Sequence, residues 1–224
     1  MFRTSNIRGQ KRFLTLRKAK VSKNANIKLS KKQLTLIENS TILTLGEKIE
    51  LLLVSLGNKL TTEIFQTIEY LSNKSNNLEI PKKESLDQIE KLLKQLPFIY
   101  FKDHLPNKKN RQTGKLENFT WFQASVNEAV VQFMKKYPDD LTEFEEGILY
   151  GFPLSAIRAF SGLIESKHTK PSPAAYYMAG VCSKDFWEDE QQAYYQLWWS
   201  RLKKLSPKIV TQAEKKYHKL HLQL

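Results

Sequence analysis

The chain is 224 residues long and carries a formal net charge of +13, from 36 basic and 23 acidic residues. Hydrophobic residues make up 41% and charged residues 26%, so the chain can bury a sizeable core and is not of the disordered class. Its longest candidate for a membrane span, 49–56, includes Glu50 and Ser55 and is too short to cross a bilayer. Its single cysteine, Cys182, excludes a disulfide framework and a Cys-based zinc module.

The positive charge is concentrated at the two ends of the chain. Residues 1–37 contain eleven lysines and arginines and no acidic residue, residues 38–200 carry a net charge of −4, and residues 201–224 carry +6. Blocks of like charge repel each other and resist burial. The sequence therefore predicts a basic, weakly structured N-terminal arm over 1–37 and a mildly acidic body.

An acid-free basic arm is typical of segments that bind a polyanion, because counterions released from the phosphates favour association. Phe2 and Phe13 are interleaved with the basic residues and suit stacking on bases. Three other interpretations fit the same composition: a solvated tail, an organellar transit peptide and a segment on an anionic membrane surface. We expect a cytoplasmic protein, or one of an organellar matrix if residues 1–37 are a transit peptide.

Residues 38–101 are predicted to form an N-terminal helical subdomain. Thr44 and Glu47 have the spacing of a capping box, and apolar residues then recur at helical intervals as far as Leu71. A second helix is predicted from Ser85 to the proline at position 97. The apolar tetrapeptide 98–101 is typical of a strand, but no partner for it is evident.

The region 102–116 is predicted to be a basic loop, and residues 117–224 to be an aromatic-rich C-terminal helical subdomain. The predicted helices include 119–137, a short helix capped by Asp139 or Asp140, a helix–Gly–Pro–helix corner at 147–160, and a last helix capped by Ser206. No sustained two-residue alternation is found. The expected fold is therefore all-α, a compact bundle of about eight helices behind the basic arm.

Eight of the chain's 25 aromatic residues lie in the segment 176–199. Trp187, Trp198 and Trp199 are candidates for stacking on bases or for contacting a partner. The competing interpretation is a wide apolar helix face that belongs to the core. Because Trp198 and Trp199 are adjacent, both cannot point fully inward, and one is expected to contact a loop, a neighbour or a partner.

We expect no catalytic residue, no metal and no cofactor. His218 and His221 have helical spacing but lack further zinc ligands. Acidic clusters at 139–146 and 185–190 fall in the first turns of predicted helices, where negative charge is stabilising. A metal-dependent enzyme acting on phosphodiesters is a lesser alternative, which requires both clusters, through Glu143, Glu146, Asp185 and Glu188, to converge.

The leading prediction is a non-enzymatic, nucleic-acid-associated helical protein, with RNA favoured over DNA. The alternative is an interaction or scaffold protein whose basic arm binds an acidic partner. The residues predicted to neutralise phosphates belong to the arm, to the basic loop and to the last two helices: Arg3, Arg8, Arg12, Arg17, Lys18, Lys109, Arg111, Lys204, Lys215 and Lys216.

Overall fold

The computed structural model describes residues 26–70, 83–109, 116–137, 141–167, 172–178 and 181–221. Within these ranges the chain forms nine α-helices, a π-helical turn and two antiparallel sheets. In chain order the elements are α1 (Lys31–Asn39), α2 (Leu45–Ser55), β1 (Thr61–Tyr70), α3 (Lys83–Leu93), β2 (Ile99–Lys109), β3 (Leu116–Ser125), α4 (Glu128–Lys136), α5 (Glu143–Leu149), α6 (Leu154–Phe160), β4 (Ser166–Lys167), α7 (Pro173–Met178), β5 (Cys182–Ser183), the π-helix (Trp187–Gln192), α8 (Ala193–Leu205) and α9 (Pro207–His221).

The larger sheet has three strands in the order β1-β3-β2, so β3 is its central strand. Ser125 is paired with Thr61 on one side and with Ile99 on the other. The register shifts once in each pairing, between Ile64 and Thr67 in the first. The smaller sheet joins the short strands β4 and β5.

This sheet shows that the all-α prediction is wrong, since the fold is mixed α/β. Ile64 and Ile68 belonged to the predicted helical stripe and instead lie in β1. A spacing of four residues is typical of a helix face but also occurs along a regular strand, so the pattern does not distinguish the two; in β1 the register shift places Ile64 opposite Phe122 and Ile68 opposite Phe119. The tetrapeptide at 98–101 does have a partner, because β2 pairs with β3.

The predicted loop 102–116 and the predicted helix 119–137 are corrected by the same sheet. Residues 102–109 are the second part of β2, and 110–115 lie outside the described residues. The predicted helix is divided into β3 and α4, and α4 begins after Asn127, whose side chain accepts a hydrogen bond from the amide of Ala129 at 2.9 Å. The subdomain boundaries predicted between 101 and 117 therefore fall inside one sheet.

Local helix signals are confirmed more often. Thr44 and Glu47 form the predicted capping box of α2, and Ser206 caps α9. The cap of α5 is Thr142 rather than Asp139 or Asp140, which lie outside the described residues. The arm prediction is wrong for residues 31–37, which form most of α1.

Helix α2 lies at the centre of the core. Seven of its eleven residues are buried, and it packs against β1, α7, α8 and α9. A smaller apolar cluster joins Val130, Phe133 and Met134 of α4 to Leu149 of α5. Each large aliphatic side chain buried in this way stabilises the fold by about 1.5–3 kcal/mol relative to an exposed one. None of the helices within the described ranges has the length and apolar character needed to cross a membrane.

Candidate functional site

The predicted phosphate-binding residues are only partly within the described ranges. The arginines and the lysine of the arm, at positions 3 to 18, lie outside them, as does Arg111. Lys109 is the last residue of β2, paired with Leu116 of β3. Lys204 is exposed at the end of α8, and Lys215 and Lys216 are exposed on α9.

Helix α9 has two distinct sides. Ile209, Val210, Ala213 and Tyr217 are buried against the body. Because 3.6 residues make one turn, Lys208, Lys215 and Lys219 lie on the opposite side, and the exposed Lys216 lies at its edge; the four lysines extend along roughly 16 Å of the helix axis. We call this surface the lysine face, and it consists of Lys208, Lys215, Lys216 and Lys219.

Only one acidic side chain of α9 itself lies near this surface, and the carboxylate of Glu38 from α1 lies at the start of the helix, where it accepts from Ser206 Oγ at 2.6 Å. Glu214, the only acidic residue of 201–224, accepts a hydrogen bond from Trp199 Nε1 at 3.2 Å, which directs it toward α8. At the start of the helix, Lys208 Nζ donates to Asn39 Oδ1 at 2.5 Å. The remaining lysines of the face are exposed, as an interface for phosphates requires.

Trp187 and Trp198, the candidates for stacking on bases, are each only 3% exposed, so they offer little surface to a ligand in this structure. Trp187 packs parallel to Tyr195 with ring centroids 6.1 Å apart. Trp199 is half-buried and stacks on Tyr177 at 6.4 Å. The aromatic segment therefore contributes mainly to the core, as the competing interpretation expected.

Several of these rings form a joint between α8 and the loop that connects α5 to α6. Tyr194 donates its hydroxyl proton to the carbonyl of Gly151 at 2.5 Å, and its ring lies 4.6 Å from that of Trp198. Asn58, with its amide oxygen turned toward α8, accepts from Trp198 Nε1 at 2.8 Å and from Arg201 at 3.3 Å. We call Asn58, Gly151, Tyr194 and Trp198 the aromatic joint. Burial raises the pKa of the Tyr194 phenol well above its ordinary value.

A charged pair fixes the same loop from the side of α2. Lys59 is 3% exposed, forms an ion pair with Glu50 at 2.5 Å, and places its Nζ 4.9 Å from the centre of the Phe152 ring. Tyr150 donates to Glu63 Oε1 at 2.6 Å. Burial, followed by the negative charge of Glu63, raises the pKa of the Tyr150 phenol. Both rings are thereby held in place beside the corner between α5 and α6.

An apolar pocket of about 120 Å³ lies at that corner. We call it the corner pocket, and it is lined by Glu143, Glu146, Gly147, Tyr150, Phe152, Ala156, Ile157, Phe160 and Val181. The two helices approach closely because Gly147 lacks a side chain; a Cβ there would lie 2.6 Å from Cγ1 of Ile157. Gly151 and Pro153 predict the corner between α5 and α6 from the sequence. They do not predict the pocket, because the pocket depends on the close approach of Gly147 to Ile157.

The carboxylates proposed for a metal do not converge in the structure. Glu143 and Glu146 border the corner pocket, whereas Asp185 and Glu188 are exposed near the π-helix. Among the residues that the structure describes, no group of three or more His, Cys, Asp or Glu side chains is arranged to hold a metal ion. The convergence that the metal-dependent enzyme hypothesis requires is therefore not found among these four residues.

The chain was compared with protein-family models, with curated proteins and with solved structures, and none of the three comparisons gives a match. Two surfaces, the lysine face and the corner pocket, are therefore the basis for inferring function.

Proposed function

We propose that the chain is a non-enzymatic nucleic-acid-binding protein that contacts phosphates through its basic N-terminal arm and the lysine face of α9. The observation that carries the proposal is the lysine face itself, four exposed lysines along one helix whose Glu214 is hydrogen-bonded to Trp199 of α8. Lysine ammonium groups are compact positive charges, which suit phosphate contacts that do not depend on base sequence.

RNA is the ligand we favour over DNA. The arm interleaves phenylalanines with arginines, and single-stranded RNA offers unstacked bases for such rings. Cytoplasmic location belongs to this proposal, with an organellar matrix as the alternative if the arm is a transit peptide. The tryptophans do not support the choice of RNA, since Trp187 and Trp198 are buried.

Fluorescence anisotropy tests the proposal directly. The full chain is titrated into labelled single-stranded RNA and into duplex DNA of equal length, at several salt concentrations. For single strands, each phosphate that the protein neutralises contributes about 0.7 to the steepness of log K against log salt. The triple variant K215Q/K216Q/K219Q is expected to reduce the slope for RNA by roughly 2.

A matched control separates the lysine face from net charge alone. The variant K91Q/K94Q/K184Q removes the same charge from exposed lysines outside α9. It is expected to keep most of the salt dependence. Equal reductions of the slope in the two triple variants would overturn the role of the lysine face, and salt-insensitive binding or no binding by the full chain would overturn the proposal. Tighter binding to duplex DNA would correct the choice of RNA.

An interaction module is the second candidate, and the corner pocket favours it. Phe160, which lines the pocket, is 58% exposed, and Leu163, three residues further along the chain, is 70% exposed. Large apolar side chains exposed beside a cavity are typical of binding surfaces. Trp199, the remaining candidate anchor, is half-buried between Tyr177 and Glu214, so the pocket is the better site for a partner.

A further inference from the structure

The corner pocket combines apolar walls with a negatively charged border. Its walls are the rings of Tyr150 and Phe152 and the side chain of Ile157. Glu143 and Glu146, both exposed, stand at its border in the first turn of α5. A ligand that fits this arrangement offers an apolar side chain with positive charges beside it.

The N-terminal part of the chain joins the body close to this pocket. The amide of Ile27 donates to the carbonyl of Ser55 at 2.9 Å, and Asn26 contacts Gly57. The carbonyl of Asn58, the next residue, lies 2.6 Å from the position of a Cβ at Gly151. In the sequence Gly151 stands between Tyr150 and Phe152, two of the three aromatic residues that line the pocket.

The sequence that precedes residue 26 has the matching chemistry. Residues 1–25 contain eight lysines and arginines and no acidic residue. Within them the segment 12–17 reads Arg-Phe-Leu-Thr-Leu-Arg, which is three large apolar side chains between two arginines. The stretch from Arg17 to Asn26, when extended, spans about 30 Å, which is ample for reaching a pocket next to the point of entry.

We propose that the corner pocket binds the segment 12–17 of the same chain. Phe13 or a neighbouring leucine enters the apolar pocket, and Arg12 and Arg17 pair with Glu143 and Glu146. A pocket of about 120 Å³ has the size of one such side chain. The segment binds there without nucleic acid, and phosphates compete with the two glutamates for the same arginines. That competition rests on the proposed function, whereas the docking does not.

Disulfide trapping in the full chain tests the docking. The native Cys182 is only 1% exposed, so introduced cysteines at the surface react first. Thr15→Cys is combined with Leu163→Cys, three residues beyond Phe160 of the pocket, or with Leu220→Cys on α9 as the matched control. After mild oxidation, mass spectrometry of the monomer is expected to show a 15–163 link formed several-fold faster than a 15–220 link. Equal rates would overturn the proposal, and a 15–163 link found only in covalent dimers would assign the pocket to a second copy.

Charge reversal at the border of the pocket gives an independent test of the same docking. Glu143→Arg with Glu146→Arg is expected to reduce the 15–163 link several-fold. Asp87→Arg with Glu128→Arg is the control, because both acids are exposed and Glu128 occupies the first turn of α4. Equal linking in the two charge variants would overturn the proposed pairing.

Added RNA separates the two proposals. If both are correct, RNA lowers the yield of the 15–163 link. If the 15–163 link forms with the expected selectivity but its yield does not change when RNA is added, the docking is supported and the competition is contradicted. RNA binding without selective linking contradicts the docking and retains the proposed function.

Discussion

The two rings of the aromatic joint lie on α8 and the lysine face lies on α9, the next helix, and their residues have opposite surroundings. In the joint, the polar groups of the aromatic side chains are paired: the Tyr194 hydroxyl donates to the carbonyl of Gly151, and the Trp198 indole donates to Asn58. On the lysine face, Lys215, Lys216 and Lys219 are exposed to solvent.

This difference shows that burial or exposure, rather than residue type, decides whether a side chain is available to a ligand. Tryptophan and tyrosine are conspicuous in a sequence, but burial of Trp198 uses its surface for packing and leaves none for a ligand. Exposed lysines add little to the stability of a fold, and the same exposure makes them available to phosphates. Substitutions in the joint should therefore affect folding, and substitutions on the lysine face should affect binding.

The largest expected effect is that of Trp198→Ala. Removal of a buried tryptophan leaves a cavity beside Tyr194 and Gly151, and we expect a decrease of about 3–5 kcal/mol in the free energy of unfolding. Urea denaturation followed by circular dichroism measures the decrease. The adjacent Trp199→Ala is the control, and because Trp199 is half-buried its effect should be smaller. Equal decreases in the free energy of unfolding for the two variants would contradict the inclusion of Trp198, and not Trp199, in the joint.

The second effect is that of Gly151→Ala. Gly151 has φ +73°, and a Cβ there would lie 2.6 Å from the carbonyl oxygen of Asn58. The left-handed conformation costs an alanine about 1–2 kcal/mol, and the close contact adds to that cost. Gly162 provides a matched control, since it has φ +68° and no atom within 4 Å of the added Cβ. Thermal denaturation should show a clearly larger destabilisation for Gly151→Ala, and similar values would mean that backbone conformation alone requires glycine.

The elements predicted correctly from the sequence are those with local signals. The capping box of Thr44 and Glu47 and the Ser206 cap involve residues three positions apart, so a short window contains the whole interaction. The sheet depends on distant residues, since Thr61 pairs with Ser125. A strand is stabilised by cross-strand neighbours, which a single segment does not reveal.

The candidate surfaces likewise depend on contacts between distant residues, which a short window of sequence does not contain. The charge of residues 201–224 singled out Lys215 and Lys216 as phosphate contacts, and both are exposed on α9, although their contact with phosphate stays a prediction. The corner pocket depends on Gly147 facing Ile157 and on Val181 from a later segment. Burial of Trp198 depends on packing against Gly151 and is decided by tertiary contacts that the aromatic pattern does not contain.

The third effect is a dependence on pH in the joint. Tyr194→Phe removes the hydrogen bond to Gly151, and we expect a destabilisation of about 1 kcal/mol at neutral pH. Burial raises the pKa of Tyr194 above that of the unfolded chain, which is about 10. The contribution of this phenol to stability is therefore fully present below pH ~10 and is lost as the pH rises toward the folded value. The difference between wild type and Tyr194→Phe should narrow above pH ~10, and a difference that widens there would contradict the burial of a neutral phenol.

The smallest expected effect on stability is that of the lysine-face variant. In K215Q/K216Q/K219Q the free energy of unfolding should change by no more than about 0.5 kcal/mol, because exposed residues without specific packing contribute little. Lys59→Gln is the informative contrast, since Lys59 is buried in an ion pair with Glu50 and its removal leaves that carboxylate without its cation. Urea denaturation of both variants beside wild type gives the comparison. A decrease of more than about 1 kcal/mol in the free energy of unfolding of the lysine-face variant, twice the expected bound, would mean that these side chains hold α9 in place. Reduced binding of RNA by the same variant would then no longer identify the interface.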